Sequence, residues 1–471
     1  MIEELQPYAD YKASGLAWLE TIPRHWRTAR NGILFQQRND TRFPDLPILE
    51  VSLRTGVRIR EFSSSKRKQV MADASKYKRA CAGDVAYNMM RMWQGAVGVA
   101  PVDGLVSPAY VVARPFPGTQ SHYYTALFKS ELYMGEIDAA SRGIVKDRNR
   151  LYWAQFKQMQ SLAPPPDEQA AIVRFLDHAN RKIDSVVRAK RKLIGLLNEQ
   201  KQVIIHRAVT RGLDPNVKFK PSGIPWLGDV PEHWEVRKLG AVADLIVSNV
   251  DKHSHTNEKR VRLCNYVDVY KNDTIHERLN FMQATATSEE VERIRIQLGD
   301  VIITKDSEGW NDIGVPSLVC YQSDDLVCGY HLAILRHHPH LITGEFLHQV
   351  ITDRFVATQM HVRAKGVTRY GLSHSAIRQV LLPLPPLSEQ IPICQQLCRE
   401  FNTLVITISR LEREIDLLRE YRTTLTAEVV TGKLDVRDAV KRLPDHADES
   451  LPADESLDDL VDDEITEEDE A

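Results

Sequence analysis

Two stretches of the chain place apolar residues at alternating steps of four and three positions. In residues 397–429, nine of the ten positions in this frame are apolar, and Arg422 is the exception. In residues 176–208, seven of ten are apolar, and the exceptions are Asn180, Lys190 and Lys201. A heptad spacing held for more than four repeats predicts a long helix that buries one face against another helix.

Sequence signals also mark where both helices begin and end. Prolines precede Asp167-Glu168 and Ser388-Glu389, whose side-chain oxygens and negative charge suit the free N–H groups of a first helical turn. Arg211-Gly212 and Gly432-Lys433 supply stop signals at the other end. A helix over residues 167–209 would be roughly 65 Å long.

Two solitary helices of this length would each expose an apolar seam to water. We therefore expect them to pack on each other as an antiparallel coiled coil. The polar seam residues Asn180 and Lys190 would either fix the register and orientation of the pair or face solvent or the globular domains. Periodicity alone does not distinguish pairing within one chain from pairing between chains.

The sequence outside the helices is rich in turns and short β-prone runs. Leu105–Ser107 and Ala109–Ala113, for example, are apolar runs bounded by Gly and Pro residues. With the two helices, these runs predict an α/β fold.

The chain contains two copies of one large module. Four pairs of segments match, at offsets of 208, 208, 221 and 216 residues: Gly15–Leu19 with Gly223–Leu227, Pro23–Trp26 with Pro231–Trp234, Pro164–Gln169 with Pro385–Gln390, and Gly83–Val85 with Gly299–Val301. Solenoid repeats run about 20–50 residues, so this period indicates two large, similar halves. The globular parts diverge more than the helices and their flanking motifs, as in two readers of different sequences on a common frame.

Charge is unevenly distributed along the 471 residues. The net charge is −3, but residues 443–471 carry 14 Asp or Glu and no Lys or Arg; the rest has 50 acidic (64 − 14) and 61 basic residues, a net charge of +11. A basic body suits a polyanionic partner such as DNA. We expect the acidic tail to be disordered. One hypothesis is that the tail mimics the charge of DNA and competes with DNA for the groove in which this protein would recognise it.

Composition and missing motifs narrow the function classes. No apolar run is long enough to cross a membrane, the first residues lack a signal-peptide pattern, and the six cysteines form no CxxC pair, so we expect a cytoplasmic protein without membrane contacts. The common phosphate-loop, dinucleotide-binding and HExxH motifs are missing. His253–His255 and His337–His340 are interpreted as loop histidines and not as metal ligands. The chain is therefore predicted to be non-catalytic.

The repeated motifs resemble those of a known family. Gly-x-x-Trp-Leu with Pro-x-His-Trp before each globular part, and Pro-Pro-x-x-Glu-Gln before each helix, resemble the specificity subunit of type I restriction–modification enzymes over residues 8 to 435. The resemblance implies two target-recognition domains joined by two long antiparallel coiled-coil helices, with an internal pseudo-twofold repeat. The implied segments are recognition domain 1 (1–163), spacer helix 1 (164–212), recognition domain 2 (213–384), spacer helix 2 (385–433) and the tail (434–471).

The resemblance also implies the partners. Each recognition domain would read one half of an asymmetric, bipartite double-stranded DNA site, with half-sites about one helical turn apart. The helices would dock two methyltransferase subunits, which restriction/translocase subunits then join. No cofactor is expected in this chain; S-adenosylmethionine, ATP and Mg would belong to the partner subunits. The motif residues with an expected packing or docking role are Trp18, Trp26, Trp226, Trp234, Glu168, Gln169, Glu389 and Gln390.

DNA-binding candidates are basic, amide and aromatic residues clustered at matching places in both copies. Such side chains donate to phosphates and to base edges. In the first copy they are Lys66, Arg67, Lys68, Asn88, Arg91, Gln94, Arg142, Lys146, Arg148 and Arg150. In the second copy they are Lys305, Asn311, Arg363, Lys365, Arg369 and Tyr370.

Three other functions fit the same sequence. The chain could serve a two-subunit system in which one partner carries both modification and cleavage, which neighbouring genes would reveal. It could be a stand-alone DNA-binding regulator, which would bind a specific sequence tightly without a methyltransferase. It could also be a coiled-coil scaffold for proteins alone, whose DNA affinity would not respond to reversing Arg142, Lys146 and Arg148 to Glu.

Overall fold

The computed structural model describes residues 5–53, 55–60, 74–143, 149–250, 255 and 258–444. The chain divides into two compact units: unit 1 comprises residues 1–189 and 414–471, and unit 2 comprises residues 190–413. Each unit therefore combines a globular part with one half of each long helix.

The helices and strands follow one another in a similar order in both units. Unit 1 begins with β1 (Tyr11–Leu16), β2 (Leu19–Pro23), β3 (Arg27–Arg30), α1 (Asn31–Leu34), β4 (Phe35–Arg38), β5 (Leu49–Ser52), β6 (Gly56–Ile59), β7 (Lys78–Ala80), β8 (Val85–Asn88), β9 (Val97–Val99), β10 (Gly104–Val106), β11 (Tyr110–Pro115), α2 (Ser121–Phe128), α3 (Glu131–Ala140), α4 (Trp153–Phe156) and β12 (Gln160–Ala163). The long helix α5 (Pro166–Arg211) leads into unit 2.

The elements of unit 2 then run to the second long helix. They are β13 (Phe219–Pro221), β14 (Asp229–Pro231), β15 (Glu235–Lys238), α6 (Leu239–Val242), β16 (Ala243–Val247), β17 (Lys259–Cys264), α7 (Tyr266–Tyr270), β18 (Thr274–Ile275), β19 (Met282–Ala286), α8 (Ser288–Ile294), β20 (Val301–Thr304), β21 (Asp306–Ser307), β22 (Pro316–Val319), β23 (Leu326–Cys328), β24 (Leu332–His337), α9 (Gly344–Thr352), α10 (Arg354–His361), β25 (Tyr370–Gly371), α11 (His374–Arg378) and β26 (Leu381–Leu384). Helix α12 (Leu387–Val430) returns to unit 1, which ends with α13 (Arg437–Lys441). Short 3-10 turns lie at Ala74–Lys76, Met92–Gln94 and Trp310–Asp312.

Both long helices stop where the sequence predicts. Gly212 directly follows α5 and Gly432 comes two positions after the end of α12, with φ angles of +71° and +76°. An L-residue with a side chain rarely adopts this conformation, whereas glycine does so without a steric penalty. All ten positions of each predicted seam are buried or half-buried, including the polar ones.

The helices contact each other within both units. In unit 1, Arg422 of α12 forms an ion pair with Asp184 of α5. In unit 2, Lys201 Nζ of α5 lies 5.4 Å from the ring centre of Phe401 of α12. The first half of α5 thus packs with the second half of α12, and the second half of α5 with the first half of α12, as antiparallel pairing requires.

The two main sheets share one strand order. Unit 1 has the antiparallel order β4-β11-β8-β9, and unit 2 repeats it as β16-β24-β20-β22. The pairs β1-β2 and β3-β12 likewise correspond to β13-β14 and β15-β26. The units differ where unit 1 has the pairs β5-β6 and β7-β10 and unit 2 has the three-stranded sheet β19-β17-β23 and a further strand, β18. The framework is therefore repeated, and the additions to it are not.

A turn predicted from the repeat also forms twice. Glycines with positive φ precede Asp84 and Asp300, which are both buried. Arg38 Nε donates to Asp84 Oδ2 at 2.7 Å, and Arg336 Nε donates to Asp300 Oδ1 at 3.0 Å. Each buried carboxylate thus has a cationic partner on another strand of the same sheet.

Each globular core continues onto both long helices. In unit 1 the core is strongly aromatic, and buried residues of α5 and α12 join it: Trp26, Phe35, Tyr87, Tyr124, Phe128 and Phe156 with Ile172, Phe175, Leu425 and Val429. In unit 2 the corresponding core is mainly aliphatic: Val301, Ile303, Leu335, Leu347 and Val350 with Ile205, Val209, Ile393 and Leu397. Burial of these side chains fixes each globular part to its two helical halves. Among the described helices, none has the length and apolar character needed to span a membrane.

Candidate nucleic-acid interface

A buried glutamate at the start of α5 organises the first copy of the repeated motif. His25 Nε2 lies 2.6 Å from Glu168 Oε1, and Trp26 Nε1 donates to Glu168 Oε2 at 2.6 Å. The Tyr8 hydroxyl donates to Oε2 at 3.2 Å, and Arg437 Nη1 lies 3.4 Å from Oε1. Burial first, and then the neighbouring Glu168 carboxylate, raises the pKa of Tyr8, so its hydroxyl stays a donor.

The second copy repeats the centre of this network at the start of α12. His233 Nε2 lies 2.6 Å from Glu389 Oε1, and Trp234 Nε1 donates to Glu389 Oε2 at 3.0 Å. Both tryptophan rings are fully buried. The Pro-x-His-Trp and Glu-Gln motifs therefore belong to one contact, formed once in each unit.

The glutamine of each motif holds a second helix. Gln169 Oε1 accepts from Gln120 N at 2.9 Å, just before α2, while its Nε2 donates to Pro164 O at 2.8 Å. Gln390 Oε1 accepts from Thr343 N at 2.8 Å, just before α9, and its Nε2 donates to Pro385 O at 2.9 Å. Because these amides satisfy backbone groups at helix starts, they have a packing role in both copies.

The remaining motif residues support the same network. Trp18 packs edge-on against Tyr133, with ring centres 5.3 Å apart, and Trp226 is half-buried against the core of unit 2. The glycine after α12 lies against the Trp26 ring, and the glycine after α5 lies against the Trp234 ring. The structure thus places all eight motif residues in packing contacts; their docking role stays a prediction.

Two equivalent loops lie beside the main sheets. Arg142 and Arg150, after α3, exchange backbone hydrogen bonds of 3.1 and 3.0 Å; residues 144–148 between them lie outside the described residues. Lys365 and Gly371 exchange bonds of 3.1 and 2.9 Å, which close the loop 365–371 after α10. We call them recognition loop 1 and recognition loop 2.

Both recognition loops are attached to the framework by the same bond. Leu151, directly after recognition loop 1, donates from its N–H to Met89 O at 2.9 Å. Leu372, directly after recognition loop 2, donates to Lys305 O at 3.0 Å. Both leucines are buried. Among the described candidates, the residues after β8 and the bridge residues Arg142 and Arg150 therefore lie near each other in the first copy, as do the residues after β20 and recognition loop 2 in the second.

The base of recognition loop 2 is a charged cluster. Arg369 Nη2 and His331 Nδ1 lie 3.0 and 2.7 Å from Asp306 Oδ1, and Lys305 Nζ lies 3.7 Å from Asp306 Oδ2. Lys305 Nζ also lies 5.1 Å from the ring centre of Tyr330. The Asp306 carboxylate thus lies beside the permanent cations Arg369 and Lys305, and the cluster keeps a positive balance that suits an anionic partner.

The other candidates of unit 2 lie around this cluster. Tyr370 is half-buried and pairs with Ser307 across β21 and β25. Lys365 and Asn311 are exposed, and Asn311 lies in the 3-10 turn that carries the exposed Trp310. Arg363 is half-buried, and its Nη1 donates to Gln359 O at 2.9 Å, which ties it to the end of α10.

In unit 1 the candidates divide between interior and surface. Asn88 is 8% exposed, and its Oδ1 accepts from Met90 N at 2.9 Å, so the structure places it as a turn-forming residue. Arg91 is half-buried, and Gln94, Arg142 and Arg150 are exposed. The remaining candidates, Lys66, Arg67, Lys68, Lys146 and Arg148, lie outside the described residues.

Sequence reasoning missed the residues that hold recognition loop 2 in place. Asp306, His331 and Tyr330 carry no motif and no periodic signal, and His331 and Arg369 are 25 and 63 positions beyond Asp306. The sole sequence hint is that Asp306 follows a predicted DNA-binding lysine. In the part of the chain that the structure describes, no group of three His, Cys, Asp or Glu side chains is arranged to hold a metal ion.

Comparison with known proteins finds similar specificity subunits. No protein-family model matches the chain. Two similar proteins of Methanocaldococcus jannaschii are the type I restriction enzyme MjaVIII specificity subunit and the putative type I restriction enzyme MjaX specificity subunit. The first is 22% identical over 285 residues, 60% of this chain and 64% of the relative. The second is 21% identical over 379 residues, 78% of this chain and 81% of the relative.

A solved structure shares the fold. A chain from a structure on the complex assembly and conformational transition of a type I R-M system matches with a TM-score of 0.62 and 15% identity, over 88% of this chain and 99% of that one. The chain spans just under two-thirds of the first curated relative and about four-fifths of the second. The predicted resemblance to type I specificity subunits is confirmed, as is a fold that mixes helices and sheets.

Proposed function

We propose that this relative of type I restriction enzyme specificity subunits is itself such a subunit. It binds an asymmetric, bipartite double-stranded DNA site and docks two methyltransferase subunits there, which restriction/translocase subunits join. Units 1 and 2 each contain one target-recognition domain. Helices α5 and α12 form the antiparallel coiled coil that spaces the two domains in a pseudo-twofold arrangement.

The observation that carries this proposal is the duplicated recognition loop. Both copies close the loop with a two-bond antiparallel bridge and attach it by a buried leucine to the residue after a central strand. The bridges enclose residues 143–149 in one copy and 366–370 in the other, and these differ in length and sequence. A constant frame with variable loops is what a protein needs to read two different half-sites.

The twin glutamate networks support two equivalent docking surfaces. Each joins the opening segment of a copy to the first turn of its long helix, and its histidine is partly exposed, 41% for His25 and 45% for His233. A partner that recognises one such surface recognises the other by the same contacts. Two methyltransferase subunits per chain follow from this repetition.

The chemistry is assigned to the partners. This chain carries no motif for methyl transfer or ATP hydrolysis, so S-adenosylmethionine, ATP and Mg are assigned to the methyltransferase and restriction subunits. The described residues serve to recognise and position the DNA. Phosphate contacts by the loop cations supply affinity, and contacts to base edges supply specificity.

The test is a map of methylated adenines in DNA from cells with and without this chain. We expect methylation at a two-part, non-palindromic motif that disappears when the chain is deleted. Reversing Arg369 to Glu should abolish it, because the loop would present a negative charge to phosphate. An unchanged methylation map, or a palindromic motif, would contradict the proposal.

Purifying the chain separates the rival functions. Tight, sequence-specific DNA binding by the isolated chain, from a genome that encodes no partner methyltransferase, would favour a stand-alone regulator. Co-purification with one chain that both methylates and cleaves would favour the two-subunit system.

A further inference from the structure

Recognition loop 2 carries an unusually exposed apolar side chain at its tip. Val367 is 93% exposed, the largest value for a large hydrophobic residue in the described part of the chain. Residues 365–369 are all exposed around it. Exposing the apolar side chain of valine to water is unfavourable. The outward position of Val367 therefore becomes favourable when a partner covers the side chain.

The loop that holds Val367 is fixed at its base. Strand β25 pairs with β21, and the Lys365–Gly371 bridge closes the loop directly above that pair. Gly366 has a φ of +156°, and a Cβ there would lie 1.8 Å from Arg369 O. Because no other residue fits at position 366 without a shift of the backbone, the turn that presents Val367 is specified by the sequence.

The surroundings of Val367 are cationic. Lys365 lies two positions before Val367 and Arg369 lies two positions after it, and Arg369 pairs with Asp306. Lys305, whose carbonyl anchors the end of the loop, adds a third cation. An apolar tip flanked by cations matches a DNA groove, where phosphates line the rims and base edges form the floor. In the major groove the apolar group on the floor is the 5-methyl group of thymine.

We propose that Val367 contacts the 5-methyl group of one thymine in the half-site read by unit 2. The inference rests on the proposed function and adds to it one specificity-determining residue and the base that it reads. Lys365 and Arg369 bind the flanking phosphates and thereby set how deeply Val367 enters the DNA groove. A β-branched side chain of this length reaches a methyl group on a base edge but is too short to unstack bases as the larger apolar wedges do.

The experiment replaces each thymine of that half-site in turn by deoxyuridine, which removes a single methyl group. Binding of the full chain, with its methyltransferase subunits, is measured by competition against the unmodified site. For the unmodified protein we expect a loss of about fourfold at one thymine, the size associated with one methyl group left unburied. Val367→Ala should lose a similar amount on the unmodified site and should no longer respond to deoxyuridine at that position.

Val362→Ala is the matched control, because Val362 is 75% exposed at the end of α10, outside the bridge-closed loop. It should bind like the unmodified protein and keep the deoxyuridine response. A half-site without thymine, no response at any thymine, or the same response in Val367→Ala would overturn the assignment while specific binding persists. Loss of all sequence-specific binding and methylation would instead contradict the proposed function.

Discussion

Glu168 and Glu389 hold the same place in the two copies, yet their surroundings differ. The Glu168 side chain is 5% exposed and has four neighbouring donors, whereas the Glu389 side chain is 39% exposed and has two. Leaving buried donors unsatisfied costs more than leaving exposed ones unsatisfied, since water can replace a lost partner at the surface.

Glutamine substitutions should reveal this difference. We expect Glu168→Gln to lower the free energy of unfolding by about 2–3 kcal/mol and Glu389→Gln by about 1 kcal/mol, because one carboxylate oxygen becomes an NH₂ group facing donors. Denaturant titration of the full chain measures both, and each variant serves as the control for the other. Equal losses of the free energy of unfolding would show that the difference in burial between Glu168 and Glu389 does not affect their contributions to stability.

His348 is the residue whose burial should make stability depend on pH. Desolvation in α9 lowers its pKa to about 4, against a raising effect of Asp273 and a smaller lowering effect of Lys201. In the unfolded chain it titrates near its ordinary value of about 6.5. Above that pH it is neutral in both states. As the pH falls from about 6.5 to about 4, only the unfolded chain gains the proton, so stability falls.

Between pH 7 and pH 5 this residue should reduce the free energy of unfolding by about 2 kcal/mol. The denaturation midpoint of the full chain at the two pH values measures the loss, and His348→Gln should remove that share of the pH dependence. His122→Gln, at an exposed position of unit 1, is the control and should leave it unchanged. The same pH dependence in His348→Gln as in the unmodified protein would refute this account.

At the scale of elements, the paired helices explain why a charged residue interrupts an apolar seam. Arg422 takes a seam position but forms an ion pair with Asp184, and the two side chains are 35% and 44% exposed. Partly exposed pairs contribute little, about 0–1 kcal/mol. The apolar seam residues carry most of the packing energy, and Leu425 is 4% exposed beside this pair.

Two substitutions one turn apart should therefore behave differently. Arg422→Leu should change the free energy of unfolding by less than about 1 kcal/mol, because the lost pair is offset by a restored apolar contact. Leu425→Ala should cost about 2–4 kcal/mol through the cavity that it leaves. Thermal and denaturant unfolding of the full chain measures both. A larger loss for Arg422→Leu than for Leu425→Ala would mean that charge, and not packing, holds the helices.

The elements were predictable to different degrees. The long helices follow from heptad spacing and glycine stops, which are local signals, and they run over Pro166–Arg211 and Leu387–Val430 as expected within a few residues. The strand order of the sheets was not predictable, because pairing such as β11 with β4 joins residues about 75 positions apart. The three-stranded sheet of unit 2 has no counterpart in the repeat and thus no internal guide.

At the scale of the whole molecule, helix α5 holds the first residues of the acidic tail. Leu443, next to the last described residue, is buried, and Arg174 Nη2 of α5 donates to the carbonyls of Leu443 and Pro444 at 3.1 and 2.9 Å. A truncation that tests the tail should therefore begin at residue 445, so that these contacts survive. Residues 445–471 carry all 14 acidic groups of this region.

If the tail competes with DNA, removing residues 445–471 should raise DNA affinity several-fold at low salt. The gain should shrink as salt increases, because both the tail and DNA bind by charge. A tail with Asp and Glu changed to Asn and Gln is the control for length and should behave like the truncation. Equal affinity and an equal salt slope with and without the tail would rule out competition.

The sequence by itself determined the duplication, the two long helices, their seams and the resemblance to type I specificity subunits, because these depend on spacing along the chain. It also identified the motif residues, although not that His25, Trp26 and Glu168 meet in one contact. Only the tertiary structure decided that Asn88 turns inward, that Asp306 holds Arg369 and His331, and that Val367 is presented at a loop tip. Those facts depend on residues distant in sequence becoming neighbours when the core closes, and no local pattern encodes which of them will meet.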